Sequence, residues 1–178
     1  MNNYEFWEKY SKFIKGEIGR LCRTKKELHI DLHIHSNYSA DGKQNLKQIL
    51  ETTKEKGFDI IAITDHDSLN VYDELYDIVS KGVTSPIIIP GIEFTTDKSE
   101  YGNQCHMLQL FVNPKDPVIL KDVSKNSVLE KLHCSNTTSL NVIFSNVPFC
   151  IQILLNLQCS NSISYNFILL HSSFSKLQ

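Results

Sequence analysis

The sequence predicts an α/β fold with a parallel sheet, either open or closed into a barrel. Two observations carry that expectation. Short apolar or alternating runs, such as LHIDLHIH and FDIIAIT, are followed by segments of helical periodicity about twelve residues long, and Gly or Asn punctuates the joins. Strand signals that alternate with helix signals are the mark of βαβ units.

Each element has its own justification. In residues 4–21, Trp7, Tyr10, Ile14, Ile18 and Leu21 recur at helical spacing, which predicts an amphipathic helix whose aromatics pack rather than react. In 28–35, Leu28, Ile30, Leu32 and Ile34 alternate with His29, Asp31, His33 and His35, the period-2 pattern of a strand with one apolar face and one polar face. Asn45 and Gln48 form a capping-box pair that opens a helix over 45–57, with Leu46, Ile49 and Leu50 inward and Gly57 at its end. FDIIAIT (58–64) reads as a buried strand. Asn70 is a candidate cap for a helix striped by Val71, Leu75, Ile78 and Val79 and ended by Gly82. IIIPGIEFT and CHMLQLFV supply two further strands.

Composition excludes several classes. With a net charge of −2, a pI near 6.4 and only Arg20 and Arg23 as arginines, the chain lacks the basic field that holds nucleic acid, so no strong nucleic-acid partner is expected. Five scattered cysteines never form C-x-x-C, which argues for reduced thiols. The N-terminus is interrupted by Glu5, Glu8, Lys9 and Lys12, and the most apolar run, 147–157, is too short for a membrane span; a cytoplasmic protein with no membrane partner is the expectation. Between Cys134 and Gln178 only Lys176 is charged, Ser and Asn abound, and Gly, Ala, Asp and Glu are absent. An outer helical layer is not written this way. The expected organisation is therefore an amphipathic helix at 1–24, a catalytic-type α/β segment at 25–133, and a low-charge tail at 134–178 that reads as out-of-frame or, alternatively, as a β-rich end.

The chemistry-bearing residues fall at strand ends. His33 and His35, two apart on a strand, project to one face and can address one cation; imidazole suits Zn²⁺, Mn²⁺ or Fe²⁺. Asp41 follows in the next turn, Asp65, His66 and Asp67 close the second strand, Glu93 lies in the third and His106 in the fourth. Singly, each has an ordinary reading: an Asx turn, a helix cap, a solvated strand end, a core histidine. Together they place His or carboxylate at four successive strands, whose C-terminal ends are where α/β folds gather their sites. His29, His133 and His171 lack such company and read as structural or surface residues.

DLHIHSNYSADG, followed by AITDHDS, PGIEFT and CHMLQLF, resembles the early motif regions of the polymerase and histidinol phosphatase (PHP) family of metal-dependent phosphoesterases. The resemblance covers about residues 28–113. It implies a distorted (β/α)₇ TIM-like barrel, here incomplete at its C-terminus, with two or three divalent ions (Zn²⁺, Mn²⁺ or Fe²⁺) as cofactors. By position, it implies that His33 and His35 hold one ion, that Glu93 bridges to a second held partly by His106, that Asp41 and His66 serve a third, and that Asp65 supports the site or handles a proton. The family pattern goes on to a later histidine and a closing Asp-x-His; no Asp follows Asp122, and His171 lacks the expected proline context. The implied activity is hydrolysis of a small phosphorylated metabolite or nucleotide. Alternatives are a polymerase-associated 3′–5′ exonuclease-type module and a non-catalytic remnant. A sheet left with open edges is expected to aggregate or form a loose monomer.

Overall fold

The computed structural model of the 178-residue chain describes residues 2–82, 84–95, 106–125 and 141–143. A 22-residue helix, α1 (Asn3–Thr24), leads into β1 (Ile30–Ile34). Then come α2 (Leu46–Glu55), β2 (Ile60–Ile63), α3 (Val71–Val79), β3 (Ile87–Thr95), β4 (His106–Leu110), α4 (Pro117–Lys125) and β5 (Asn141–Ile143). The strands form one sheet in the order β1-β2-β3-β4-β5.

Helix α1 forms because Asn2 caps it, its side-chain oxygen accepting from Glu5 N–H, and because one stripe is apolar. Trp7, Tyr10, Ile14 and Ile18 are buried, and the Tyr10 hydroxyl donates to Ile88 O at 2.9 Å, tying the helix to the start of β3. The capping box at α2 is formed by Asn45 and Gln48, and Gly57 takes the positive φ (72°) that ends the helix region. At α3 the expectation for Asn70 fails. Its backbone is already helical (φ −67°, ψ −30°), so its side chain makes no cap bond; a capping side chain needs the extended backbone seen at Asn2 and Asn45. The buried stripe of α3 is Val71, Tyr72, Leu75 and Val79, with Ile78 only partly covered.

Tyr72 was hidden from the periodicity argument, yet it matters to the sheet. Pro90, within β3, has no N–H to give a ladder. Next to it, the buried Tyr72 hydroxyl accepts from Gly91 N–H at 2.7 Å and lies 2.6 Å from Ile63 O, to which it donates. A side chain from α3 thus satisfies β2 and β3 where their own pairing ends at Ile63 and Pro90. Gly91 is required here: a Cβ would sit 2.8 Å from Thr64 Cγ2.

Strand polarity departs from expectation at one step. β1 pairs with β2, and β2 with β3, in parallel, but β3 pairs with β4 antiparallel, with Thr95 opposite His106 and Gly91 opposite Leu110. The link 96–105 is shorter than the dozen or so residues that a parallel crossover needs. β5 returns to parallel pairing with β4. The described residues thus form a mixed, parallel-dominated α/β sheet. Of the 134–178 segment, only β5 lies within the described residues, as does neither His133 nor His171.

Candidate metal centre

The antiparallel turn of β4 decides where His106 lies. It opens its strand instead of closing it, and because β4 runs backwards this N-terminal end abuts the C-terminal end of β3. His106 therefore reaches the same sheet edge as the others by a route opposite to the one the sequence suggested.

Glu93, near the end of β3, is the hub. Its side chain is 3% exposed. Oε2 lies 2.6 Å from His33 Nε2 and 2.7 Å from His35 Nε2, and Oε1 lies 2.8 Å from His106 Nδ1. His33 Nε2 and His35 Nε2 are themselves 2.9 Å apart. Burial disfavours charge on Glu93, but the bonds from His33 and His35 outweigh it and hold the carboxyl well below the usual carboxylate range.

The loop after β1 brings Asp41 back over the strand end. Asn37 N–H donates to Gln44 O, Ser39 N–H to Ser36 O and Gly42 N–H to Ser39 O, closing two tight turns. Gly42 passes so close to Ser36 that a Cβ would lie 1.9 Å from its carbonyl oxygen, so only glycine fits. Asp41 meets His35 Nδ1 with both oxygens at 2.9 Å, accepts from Ser39 Oγ at 2.6 Å, and has Oδ2 3.6 Å from His66 Nε2. Burial raises its pKa, but Ser39 and His35 prevail and bring it down to about 2. For His35, burial opposes protonation, yet Glu93 and Asp41 together raise its pKa. His66 goes the other way, since burial dominates and lowers it.

Asp65 is 1% exposed and faces inward from the cluster: Ser36 N–H and Ser36 Oγ donate to its two oxygens. Burial raises its pKa. It joins none of the three sets of donor atoms that lie within 4.8 Å of one another, which are His33, His35 and Glu93; His35, Asp41 and His66; and His66, Glu93 and His106. Five histidine and carboxylate residues thus surround the hub carboxylate of Glu93. His29 lies apart, its backbone N–H donating to Asp59.

Ser36, Ser39 and Thr95, with the Asp67 already noted just past β2, complete the surroundings, and nothing in the sequence singled out the three hydroxyls. Their part depends on which backbone atoms they meet, and no spacing rule reports that. Asp67 offered one signal, a short polar residue able to take positive φ; it does so at 46°.

Such a donor set fits divalent cations. Two ring nitrogens and a carboxylate oxygen converge within 2.9 Å of one another, close enough to share one cation in place of the proton, and imidazole with carboxylate suits Zn²⁺, Mn²⁺ and Fe²⁺.

Comparison with known proteins gives the chain's family. The sequence model of the PHP domain family matches residues 31–178, and the chain belongs to that family. It is 32% identical over 114 residues to a phosphoribosyl 1,2-cyclic phosphate 1,2-diphosphodiesterase of Eggerthella lenta, covering 62% of this chain and 40% of that protein. An uncharacterized protein of Methanocaldococcus jannaschii is 30% identical over 112 residues, covering 57% of this chain and 59% of the relative. The chain therefore matches only about half the length of these curated relatives. Among solved structures, an amidohydrolase from Chromobacterium violaceum (23% identity, 54% of this chain, 32% of that one) and a candidate metal-dependent phosphoesterase from Bifidobacterium adolescentis (24%, 55% and 32%) each superpose with a TM-score of 0.46. No described helix is long and apolar enough to cross a membrane.

Proposed function

We propose that this chain carries a di- or trinuclear metal centre for hydrolysis of phosphoesters. The observation that supports this most is the convergence of His33, His35 and His106 on the buried Glu93 carboxylate, in a chain of the PHP family. His33, His35 and Glu93 would hold one ion, Glu93 and His106 a second, and Asp41 with His66 a third, as Zn²⁺, Mn²⁺ or Fe²⁺. Ions there would supply Lewis acidity, polarising phosphoryl oxygens and acidifying water.

The chain's own residues do the rest. Glu93, ionised well below neutral pH, keeps a fixed negative charge in a buried position, so the site attracts cations before any substrate arrives. Ser39 holds Asp41 towards His35 and His66, and its Oγ also accepts from His66 N–H at 3.2 Å. Asp65 keeps the turn after β1 in place through both Ser36 donors; we assign it support of the His33–His35 strand end, where a proton-handling role would need a free oxygen facing the cluster. His33 and His106 are the more exposed ring donors, with side chains 31% and 41% accessible, which leaves the substrate side of the centre at their edge. The named relative acts on a cyclic phosphodiester of a phosphorylated sugar. For this chain we propose a small phosphorylated metabolite or nucleotide. Both arginines lie in α1, so phosphate would be held mainly by the centre itself.

The test combines metal content with turnover. The chain loaded with Mn²⁺ or Zn²⁺ and desalted should retain about two or three ions and hydrolyse a chromogenic phosphodiester or phosphomonoester. Glu93→Gln should lose most of the metal and the activity. A wild-type chain that keeps no stoichiometric metal would refute the reading and favour a non-catalytic remnant.

A further inference from the structure

His66 is held differently from the other ring donors. His33, His35 and His106 contact carboxylates at 2.6–2.9 Å, whereas His66 Nε2 lies 3.6 and 3.7 Å from Asp41 and Glu93. Its shortest side-chain contact is on the far side of the ring, where Nδ1 is 3.1 Å from Thr95 Oγ1. Thr95 is in turn fixed by its backbone: its N–H donates to Asp67 Oδ1 at 3.1 Å, while Asp67 N–H donates to Glu93 O at 2.9 Å. Asp67 makes both bonds from a left-handed conformation (φ 46°) that costs free energy in any residue with a Cβ, and it immediately follows His66, which bridges to Glu93. The ends of β2 and β3 are thus latched together so that one hydroxyl meets one ring nitrogen.

A neutral imidazole donates from one nitrogen and accepts at the other, and the partner of the first decides which is free. If Nδ1–H donates to Thr95 Oγ1, the lone pair lies on Nε2, facing Asp41 and Glu93. We propose that Thr95 is a positioning residue that fixes the Nδ1–H tautomer and orientation of His66, and that Asp67 holds Thr95 in register for it. This rests on the proposed metal centre for its purpose, but the tautomer itself is a property of the metal-free chain. Hydrogen bonds to the outer nitrogen of a ligating histidine typically change metal affinity about 10- to 100-fold.

Thr95→Val tests this with little disturbance, since it keeps the side-chain shape and the backbone bond to Asp67 and removes only the hydroxyl; Thr95→Ser restores it. Long-range proton–nitrogen correlation spectra of the labelled, metal-free full chain at mildly alkaline pH report the tautomer of each ring. The wild type and Thr95→Ser should show His66 as Nδ1–H, and Thr95→Val should shift it towards Nε2–H. In a zinc-buffer titration, Thr95→Val should weaken one ion by about tenfold or more, leave the others unchanged, and be rescued in Thr95→Ser. An Nε2–H His66 in the wild type, or a valine variant with unchanged spectra and zinc affinity, would overturn the proposal. If the spectra behave as expected but the wild type binds no zinc, the latch stands and the metal-centre reading falls.

Discussion

Five side chains around the Glu93 carboxylate make the site sensitive to protons. Glu93 and Asp41 raise the pKa of His35, so in the metal-free chain His35 keeps its proton to higher pH than a free imidazole does, while burial lowers the pKa of His66. A cation must displace that proton. Metal affinity should therefore rise with pH, with His35 among the sources of released protons. Titration calorimetry in buffers of different ionisation enthalpy measures this directly; proton release that stays near zero from pH 6 to pH 8 would contradict it. At this scale most of the candidate site was legible. His33, His35, Asp41, His66, Glu93 and His106 stand out because histidines and acids recur at strand ends, and the structure brings all six together. Ser36, Ser39 and Thr95 were not legible, because a hydroxyl beside a ligand residue looks like any surface serine or threonine until the backbone is known.

Among elements, strand pairing was read correctly where helices intervene and wrongly where one does not. The periodicity of α2 and α3 implies parallel crossovers, and β1, β2 and β3 comply. The short link between Thr95 and His106 held the contrary signal, and β4 runs antiparallel accordingly. The site survives the error because reversing a strand that carries its ligand at the start is equivalent to keeping one that carries it at the end. Alignment of β2 with β3 then depends on Tyr72. Tyr72→Phe leaves Gly91 N–H and Ile63 O buried without this partner and should cost about 1–3 kcal/mol, measured by urea unfolding. Loss of well under 0.5 kcal/mol would show that the ladder closes without the hydroxyl.

Over the whole molecule, one apolar core joins α1 to the sheet, although the family match begins only at residue 31. Trp7 is edge-on to Tyr10 and Tyr72, so the helix that precedes the family segment packs on the residue that supports β2 and β3. The family match also runs to residue 178, across the change of composition after His133, and β5 within that segment pairs with β4. Because the proposed donors come from β1, β3, β4 and the loops after β1 and β2, ions bound there would link all of these elements. Zinc or manganese at about 100 times its dissociation constant should add about 2.7 kcal/mol of stability, removed by a chelator. Melting curves unchanged by either metal or chelator would count against such a link.

The most direct measurement is anomalous diffraction at a metal absorption edge from crystals of the chain grown with Zn²⁺. Peaks are predicted within about 2.0–2.2 Å of His33, His35, Glu93, His106, Asp41 and His66 donor atoms. Zinc found only on other surfaces, with these six side chains bare, would contradict the shared centre on which the proposed function rests.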